Sequence, residues 1–213
     1  MDNLFSQGII TQNLFALSFE PVTQASETNG EITFGGVDDS KFTGSISYVP
    51  ITQTSPSSGY WGMDASISYG TGGTPILSST AGNIDTGTSL ILLASNAYDA
   101  YKLATGAIED ASTGLLSITS DQLSGLQSLY FTIGSQSFEL TPNAQIFSRS
   151  LNSNVGGTAD KIYLIIGNLK TKSGQGLDFT LGKMFLERFY VVFDTGNARI
   201  GKSILHGTIA FDY

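Results

Sequence analysis

The stretch with the clearest capacity for chemistry spans residues 83–93, where a carboxylate follows one short apolar run and precedes another. Apolar runs of this length, bounded by turn residues, are typical of buried strands. Asp85 is therefore predicted to lie on a loop between two strands that the core holds in place. The residues after it, Thr86, Gly87 and Thr88, would surround its carboxylate with hydroxyl and backbone N–H donors.

A carboxylate in such a turn has two interpretations. In the first, Asp85 bonds its own backbone and shapes the turn, which is the usual role of Asp in turns. In the second, the carboxylate is aimed at a substrate, as happens at catalytic sites. The turn-shaping role is the commoner one, so the choice depends on the rest of the chain.

The composition narrows the classes of protein and of mechanism. The 213 residues suffice for one large domain or two small ones, and 25 Gly with 11% aromatic residues favour an all-β chain with many turns. A formal net charge of −8 argues against binding to nucleic acid or to an anionic membrane. The chain has no Cys, so it cannot form disulfides or thiolate metal sites. His206 is its only His, so a metal site with several His ligands is excluded and a Ser-His-Asp mechanism is not expected.

Targeting signals are not evident in the sequence. No run of about eighteen apolar residues predicts a membrane span. The first residues, Met1 to Asn3, lack the basic region of a signal peptide. Neither a metal ion nor another cofactor is expected.

The pattern along the chain predicts short strands with a few short helices. Ser95 is a candidate N-cap for a helix that Gly106 would end. A polar loop is expected over residues 148–160 and a strand over residues 161–166. The other predicted elements are a helix broken at Gly8, strands over 14–19, 30–38, 44–51, 60–69 and 179–182, a helix near 120–126, a helical turn at 184–188, and hairpins over 129–140 and 189–201.

The loop Asp85-Thr86-Gly87-Thr88-Ser89, with its following apolar run, resembles an active-site loop of pepsin-like aspartic proteases. Further segments follow the C-terminal lobe of that family in order and at nearly its spacing. The absence of Cys and the segment 2–8 are most similar to the cysteine-free fungal polyporopepsin-like group. The matching segments are 30–38, 44–50, 60–61, 85–89, 129–140, 181–182 and 185–201.

The resemblance implies an all-β fold with a few short helices, built as one acid-protease lobe. That lobe would be a six-stranded-type barrel, closed or open, with a psi-loop in which the strand ending at Leu181-Gly182 crosses the Asp85 loop. Residues 1–203 would form the C-terminal lobe, and residues 204–213 a divergent tail. The first catalytic Asp and the flap Tyr of the family would then lie upstream of Met1.

The resemblance also assigns roles to residues of this lobe. Asp85 would be one of two catalytic aspartates, with the Thr88 hydroxyl on its outer oxygen and Thr86 bonding across to the facing lobe. Gly87 would let the backbone pass close to the substrate. Two positions that are usually apolar in the family are polar here, Asn83 and Thr180. The substrate-binding set would be Tyr60, Asn83, Gly87, Thr88, Ser89 and Thr180, although Tyr60 and Trp61 could equally serve sheet packing.

Two other motifs imitate family signatures. Asp194-Thr195-Gly196 repeats the letters of the active-site loop, but Asn197-Ala198-Arg199 follows in place of Ser or Thr and an apolar strand. We therefore expect a hairpin turn there and not a partner for Asp85. Tyr69-Gly70-Thr71-Gly72 resembles a flap, but it precedes Asp85, and a turn is expected there too.

The predicted function is that of an aspartic endopeptidase that hydrolyses peptide bonds in proteins at acidic pH, through a water activated by two aspartates. Its partners would be the peptide substrate and an N-terminal lobe that supplies the second Asp. By family the protein would be secreted. Two alternatives stay open: a homodimeric protease with one Asp85 per chain, and a non-catalytic truncated lobe or secreted β-domain that binds peptide or glycan.

Overall fold

The computed structural model describes residues 1–22, 24 and 29–205, and most of the regular structure in this part is β-strand. The α-helices within the described residues are α1 (Asp2–Ser6), α2 (Ser95–Thr105), α3 (Ser120–Gly125) and α4 (Lys183–Leu186). The strands are β1 (Leu14–Ser18), β2 (Glu31–Phe34), β3 (Phe42–Pro50), β4 (Gly62–Tyr69), β5 (Thr74–Ile84), β6 (Ile91–Leu93), β7 (Ile108–Glu109), β8 (Leu116–Ile118), β9 (Leu129–Ile133), β10 (Gln136–Leu140), β11 (Ile162–Tyr163), β12 (Ile166–Asn168), β13 (Phe179–Leu181), β14 (Phe189–Asp194) and β15 (Arg199–Leu205).

The strands form three sheets. A five-stranded antiparallel sheet has the order β2-β1-β14-β15-β3, and a three-stranded sheet has the order β11-β8-β7. The seven-stranded sheet, in the order β10-β9-β4-β5-β13-β6-β12, is a curled half-barrel. The prediction of a mainly β fold with a few short helices is therefore confirmed.

Strand β13 joins the two halves of the seven-stranded sheet. It runs parallel to β5, with Thr180 opposite Asn83, and antiparallel to β6, with Leu181 opposite Ile91. A strand inserted between β5 and β6 in this way lies between the two strands that flank the Asp85 loop. This arrangement is the predicted psi-loop, and it ties residue 181 to the end of β5.

The main core is built from apolar side chains of both large sheets. Aromatic pairs join them: Phe185 packs on Phe189 and edge-on to Phe131, with centroids 4.5 and 5.4 Å apart. All three side chains are almost completely buried. Burial of side chains of this size dominates the free energy of folding, so the loop between β5 and β6 rests on a rigid base.

The caps at the helix ends agree only in part with those predicted from the local sequence. Gly106 ends α2 in the left-handed conformation with φ +69, as predicted. The prediction that Ser95 caps α2 is wrong, because the N-cap is Ala94 and the Ser95 hydroxyl donates to Asn168 Oδ1 at 2.9 Å. Helix α3 begins instead with a full capping box between Thr119 and Gln122.

Two predicted segments also differ from the structure. The strand expected over 161–166 is divided into β11 and β12, because Leu164 N donates to Leu116 O and Ile165 N to Gln145 O, on two different neighbours. The polar loop over 148–160 contains a 3₁₀ helix, Arg149–Val155. Of the expected tail, residues 204 and 205 continue β15, whereas His206 and the residues after it lie outside the described part of the chain.

Candidate active site

The backbone of the psi-loop places Asp85 at the end of β5. Ile84 N donates to Trp61 O at 3.0 Å and Asp85 N donates to Leu181 O at 3.1 Å. Each bond links the chain next to the carboxylate to a different neighbouring segment. The Asp85 backbone is therefore fixed from both sides, as a precisely oriented carboxylate requires.

The Asp85 carboxylate is held by the turn that follows it. Its Oδ1 accepts a hydrogen bond from Gly87 N at 2.9 Å, and its Oδ2 accepts one from the Thr88 hydroxyl at 2.7 Å. The side chain is half-buried, while Thr86, Gly87 and Ser89 are exposed. One donor on each oxygen leaves further lone pairs available, since a carboxylate has about four acceptor sites.

Two glycines allow the loop to be this compact. A Cβ at Gly182 would lie 2.2 Å from Leu90 O and 2.4 Å from Thr88 O, which is too close for any side chain. A Cβ at Gly87 would lie 3.2 Å from Asp85 Oδ1. Glycine at residue 182 lets α4 approach the loop, so that Lys183 N donates to Thr88 O at 2.7 Å.

An open hollow of about 970 Å³ lies in front of the carboxylate. Its polar lining includes Asp85, Thr86 and Asn83, and its apolar lining includes Phe15 and Phe193. The combination of a broad apolar surface with a few polar groups suits a ligand that presents both a polar group and apolar side chains.

Tyr60 and Trp61, whose roles the sequence left open, lie in different environments. Trp61 makes edge contacts with Phe15 and Phe193, at centroid distances of 6.2 and 5.1 Å. Both residues line the hollow, and Tyr60 is 57% exposed. Trp61 therefore packs, whereas most of the Tyr60 ring is accessible to a ligand.

The polar residues Asn83 and Thr180 face each other across β5 and β13. The Thr180 hydroxyl donates to Asn83 Oδ1 at 2.8 Å, and both side chains are buried. Asn83 borders the hollow, but Thr180 is not among its lining residues. Of the predicted site residues, Tyr60, Asn83, Asp85 and Thr86 line the hollow, whereas Gly87, Thr88 and Ser89 belong to the same loop but are not among its lining residues.

The two motifs that resemble family signatures, at residues 194–196 and 69–72, form turns, as predicted. Asp194 ends β14, and its carboxylate accepts bonds from Asn197 N at 3.1 Å and from Arg199 Nε at 2.6 Å. Thr195 and Ala198 reach the rim of the hollow, although Asp194 is not in its lining. Tyr69 ends β4 and is buried, and the segment after it turns into β5.

Sequence reasoning missed Glu187, which follows α4 directly. Its side chain is largely buried, and this burial raises the pKa of its carboxyl from 4.5 to about 7. The positive charge of Lys183, whose Nζ lies 3.7 Å from Glu187 Oε1, opposes this rise in pKa. Nothing in the local sequence indicates this, because the burial of Glu187 depends on distant segments. Within the described ranges, no group of three or more His, Cys, Asp or Glu residues could hold a metal ion, and no helix is long and apolar enough to cross a membrane.

A curled half-barrel with a psi-loop, and an aspartate held by Gly and Thr at its crossing, define the class of the aspartic proteases. The family model of the eukaryotic aspartyl proteases matches residues 1–204, so the chain belongs to that family.

Individual relatives agree with this assignment. The chain is 59% identical to polyporopepsin of Irpex lacteus over 209 residues, which are 98% of this chain and 61% of that protein. It is 37% identical to rhizopuspepsin-1 of Rhizopus niveus, over 91% of this chain and 44% of the relative. The crystal structure of the aspartic proteinase from Irpex lacteus superposes with a TM-score of 0.95 at 60% identity, and covers 98% of this chain and 61% of that one. The chain thus spans about three fifths or less of these relatives.

Proposed function

We propose that residues 1–203 form the C-terminal lobe of an aspartic endopeptidase that cleaves proteins at acidic pH, and that Asp85 is one of its two catalytic carboxylates. The observation that carries this proposal is the environment of Asp85. Each carboxylate oxygen accepts one bond from the loop, and the residue lines an open hollow. A carboxylate that served only to shape a turn would not need this hollow.

The chemistry needs a second carboxylate close to Asp85. Two carboxyl groups that share a site cannot both ionise easily, so the pair holds one proton over a range of acidic pH. The ionised member takes a proton from a bound water, which attacks the peptide carbonyl, while the protonated member donates to the carbonyl oxygen. We propose that an N-terminal lobe encoded upstream of Met1 supplies this second Asp and the flap, and that the protein is secreted.

Within this lobe the remaining residues would position Asp85 or contact the peptide. Thr88 and Gly87 hold the carboxylate, and the exposed Thr86 hydroxyl would bond across to the facing lobe. Tyr60, Ser89 and Asn83 would contact the substrate. Because Thr180 is bonded to Asn83 and lies behind it, Thr180 would act through Asn83 and not by direct contact.

The test is hydrolysis of a denatured protein between about pH 3 and 5, the range in which a carboxylate pair holds one proton. It compares the full-length two-lobe protein with its Asp85→Asn variant, which keeps the size of the side chain and one acceptor oxygen for the loop. We expect the rate to fall by about 10⁴–10⁶, because catalytic groups that act as a unit lose most of their effect when one is removed. Retention of more than about a tenth of the rate would rule out this role for Asp85.

A further inference from the structure

A second cleft, of about 470 Å³, lies apart from the Asp85 hollow and shares no lining residue with it. It opens between β3, at the edge of the five-stranded sheet, and β10, at the edge of the seven-stranded sheet. Polar uncharged side chains dominate its walls, among them Ser45 and Ser47 from β3, and Gln136 and Ser137 from β10. Among the described residues, the one lining residue that has a charged side chain is Lys202 of β15.

Lys202 is buried to an extent that is unusual for a lysine. Its exposed fraction is 1%, and its Nζ donates to the Sδ of the fully buried Met63 at 2.9 Å. A thioether is a weak acceptor and carries no charge to balance an ammonium group. None of the ion pairs within the described residues includes Lys202.

Charged groups on the neighbouring strands have other partners. On β15, Arg199 pairs with Asp194, and on β10, Glu139 accepts a bond from the Ser128 hydroxyl. On β4, Asp64 next to Met63 accepts a bond from the Thr52 hydroxyl. The packing around Lys202 therefore offers an ammonium group no carboxylate in the part of the chain that is described.

Burial lowers the pKa of Lys202 from 10.5 to about 7. Below that pH, Lys202 carries a positive charge in a setting that lacks a counter-charge, which is costly for the folded state. An anion in the adjoining cleft would reduce this cost. The cleft suits one, because its lining contains no carboxylate and offers several hydroxyl groups and an amide as donors.

We propose that the cleft between β3 and β10 is an anion-binding site, in which a small oxyanion pairs with Lys202 and accepts hydrogen bonds from the surrounding hydroxyl and amide groups. Ser45 and Ser47 lie two residues apart on one strand, so their side chains share a face, and Ser47 is directly opposite Lys202 in the register of β3 and β15. Ser137, on β10, also lines the cleft. The site is separate from the proteolytic function, and its anion would stabilise the lobe in acid.

The test uses sulfate as the probe and thermal unfolding of the 213-residue chain as the measurement. At pH 5, in an amine buffer, 10 mM sodium sulfate is compared with sodium chloride of equal ionic strength, so that general salt effects are matched. For wild type we expect Tm to rise by about 3–5 °C in sulfate, the shift of a ligand present at several times its Kd. For Lys202→Met, a variant of similar length without the charge, we expect a shift below about 1 °C.

Two further measurements separate pairing with Lys202 from a general effect of sulfate. At pH 8.5, above the lowered pKa of Lys202, the sulfate shift of wild type should largely disappear. Ser137→Ala keeps Lys202 and removes one donor, and it should weaken sulfate binding about fivefold in a calorimetric titration, a typical loss for one hydrogen bond. This variant tests the site even if Lys202→Met does not fold. Equal sulfate shifts in wild type and Lys202→Met, or unchanged affinity in Ser137→Ala, would overturn the proposal.

Discussion

The chain contains the letters Asp-Thr-Gly twice, and the two copies have opposite surroundings. The carboxylate of Asp85 accepts one bond at each oxygen and borders an open hollow. The carboxylate of Asp194 is 2% exposed and accepts bonds from the backbone N and the side-chain amide of Asn197 and from Arg199. An aspartate with unused lone pairs can act on a ligand, whereas a saturated and buried one stabilises its own turn.

The residues after the glycine create this difference. Thr88 gives Asp85 a single hydroxyl donor and then leads into a strand of the psi-loop. Asn197 and Arg199 instead close a hairpin between β14 and β15, and Arg199 also lies over the Tyr48 ring, 4.0 Å from its centroid. A three-letter motif therefore has no fixed function, and its context in the fold decides its role.

The largest expected effect separates the two aspartates by activity. In the proposed two-lobe protein, Asp194→Ala should leave acid proteolysis, per folded molecule, within a few-fold of wild type. Asp85→Asn should reduce it by about 10⁴ or more. Both rates are to be measured well below the melting temperature, so that differences in stability do not enter. A loss for Asp194→Ala as deep as that for Asp85→Asn would refute the distinction between the two turns.

For stability we expect the opposite ranking: substitution of Asp194 should reduce the free energy of unfolding more than substitution of Asp85. Asp194→Ala leaves a guanidinium and an amide without their acceptor, and we expect it to reduce the free energy of unfolding by about 2–4 kcal/mol at pH 6. Asp85→Ala removes a carboxylate that its loop holds by two bonds at the open surface of the hollow, and we expect a loss within about 1 kcal/mol. Denaturant unfolding of the two variants provides the comparison, and equal losses would contradict it.

Acid should weaken the Asp194 turn. Burial alone would raise the pKa of Asp194, but the bonds from Asn197 and Arg199 outweigh it and hold this pKa below its ordinary value. The stability that Asp194 contributes is therefore present above the ordinary carboxyl pKa and is lost as the pH falls through the lowered one. The difference between wild type and Asp194→Ala should accordingly shrink in strong acid.

Neutral pH should instead weaken the support of Asp85. Glu187 follows α4, which holds the Asp85 loop, and burial raises its pKa to about 7. Because this pKa is higher than in the unfolded chain, the stabilising effect is complete below about pH 4.5 and is lost as the pH rises through 7. Glu187→Gln should therefore be more stable than wild type by about 2–3 kcal/mol at pH 7, and the gain should vanish near pH 4. A gain independent of pH would show that Glu187 is not the titrating group.

The smallest expected effect on activity concerns the hydrogen-bond donors that follow the glycine of each Asp-Thr-Gly turn, Thr88 and Asn197. Thr88→Val removes the hydroxyl that bonds Asp85 Oδ2, and we expect kcat to fall about tenfold, which corresponds to one lost hydrogen bond. Thr88→Ser should keep most of the activity. Asn197→Ala, the matched change in the other turn, should leave kcat unchanged. If Thr88→Val and Asn197→Ala behave alike, the Thr88 hydroxyl has no part in positioning the carboxylate.

Much of this fold could be predicted from the sequence, because its signals are local. Alternating apolar residues predicted β3, and the residues Asp194 to Asn197 predicted a hairpin turn. The capping of α2 was not predictable, because the Ser95 hydroxyl is engaged by Asn168, 73 residues away. Similarly, Asp110 is bonded by Lys161 and Tyr163, which hold its pKa well below the ordinary range, and nothing near Asp110 in the sequence indicates those partners.

The same limit applies to the candidate site. The sequence predicted Asp85 and its loop, since every residue that bonds the carboxylate lies within three positions of it. It did not predict that Thr180 would lie behind Asn83, because their pairing depends on the insertion of β13 into the sheet. Lys202 was missed for the same reason, since its burial follows from the packing of two sheets and not from its neighbours in the chain.

Mixing the two lobes tests the central claim, that Asp85 supplies half of a catalytic pair, most directly. The chain and its Asp85→Asn variant are each assayed for acid hydrolysis of denatured haemoglobin, alone and with a separately expressed N-terminal lobe. We predict activity only for the wild-type chain with the added lobe. Activity of the chain alone that Asp85→Asn abolishes, and that rises with the square of the chain concentration, would contradict this account and establish a homodimer with one Asp85 per chain.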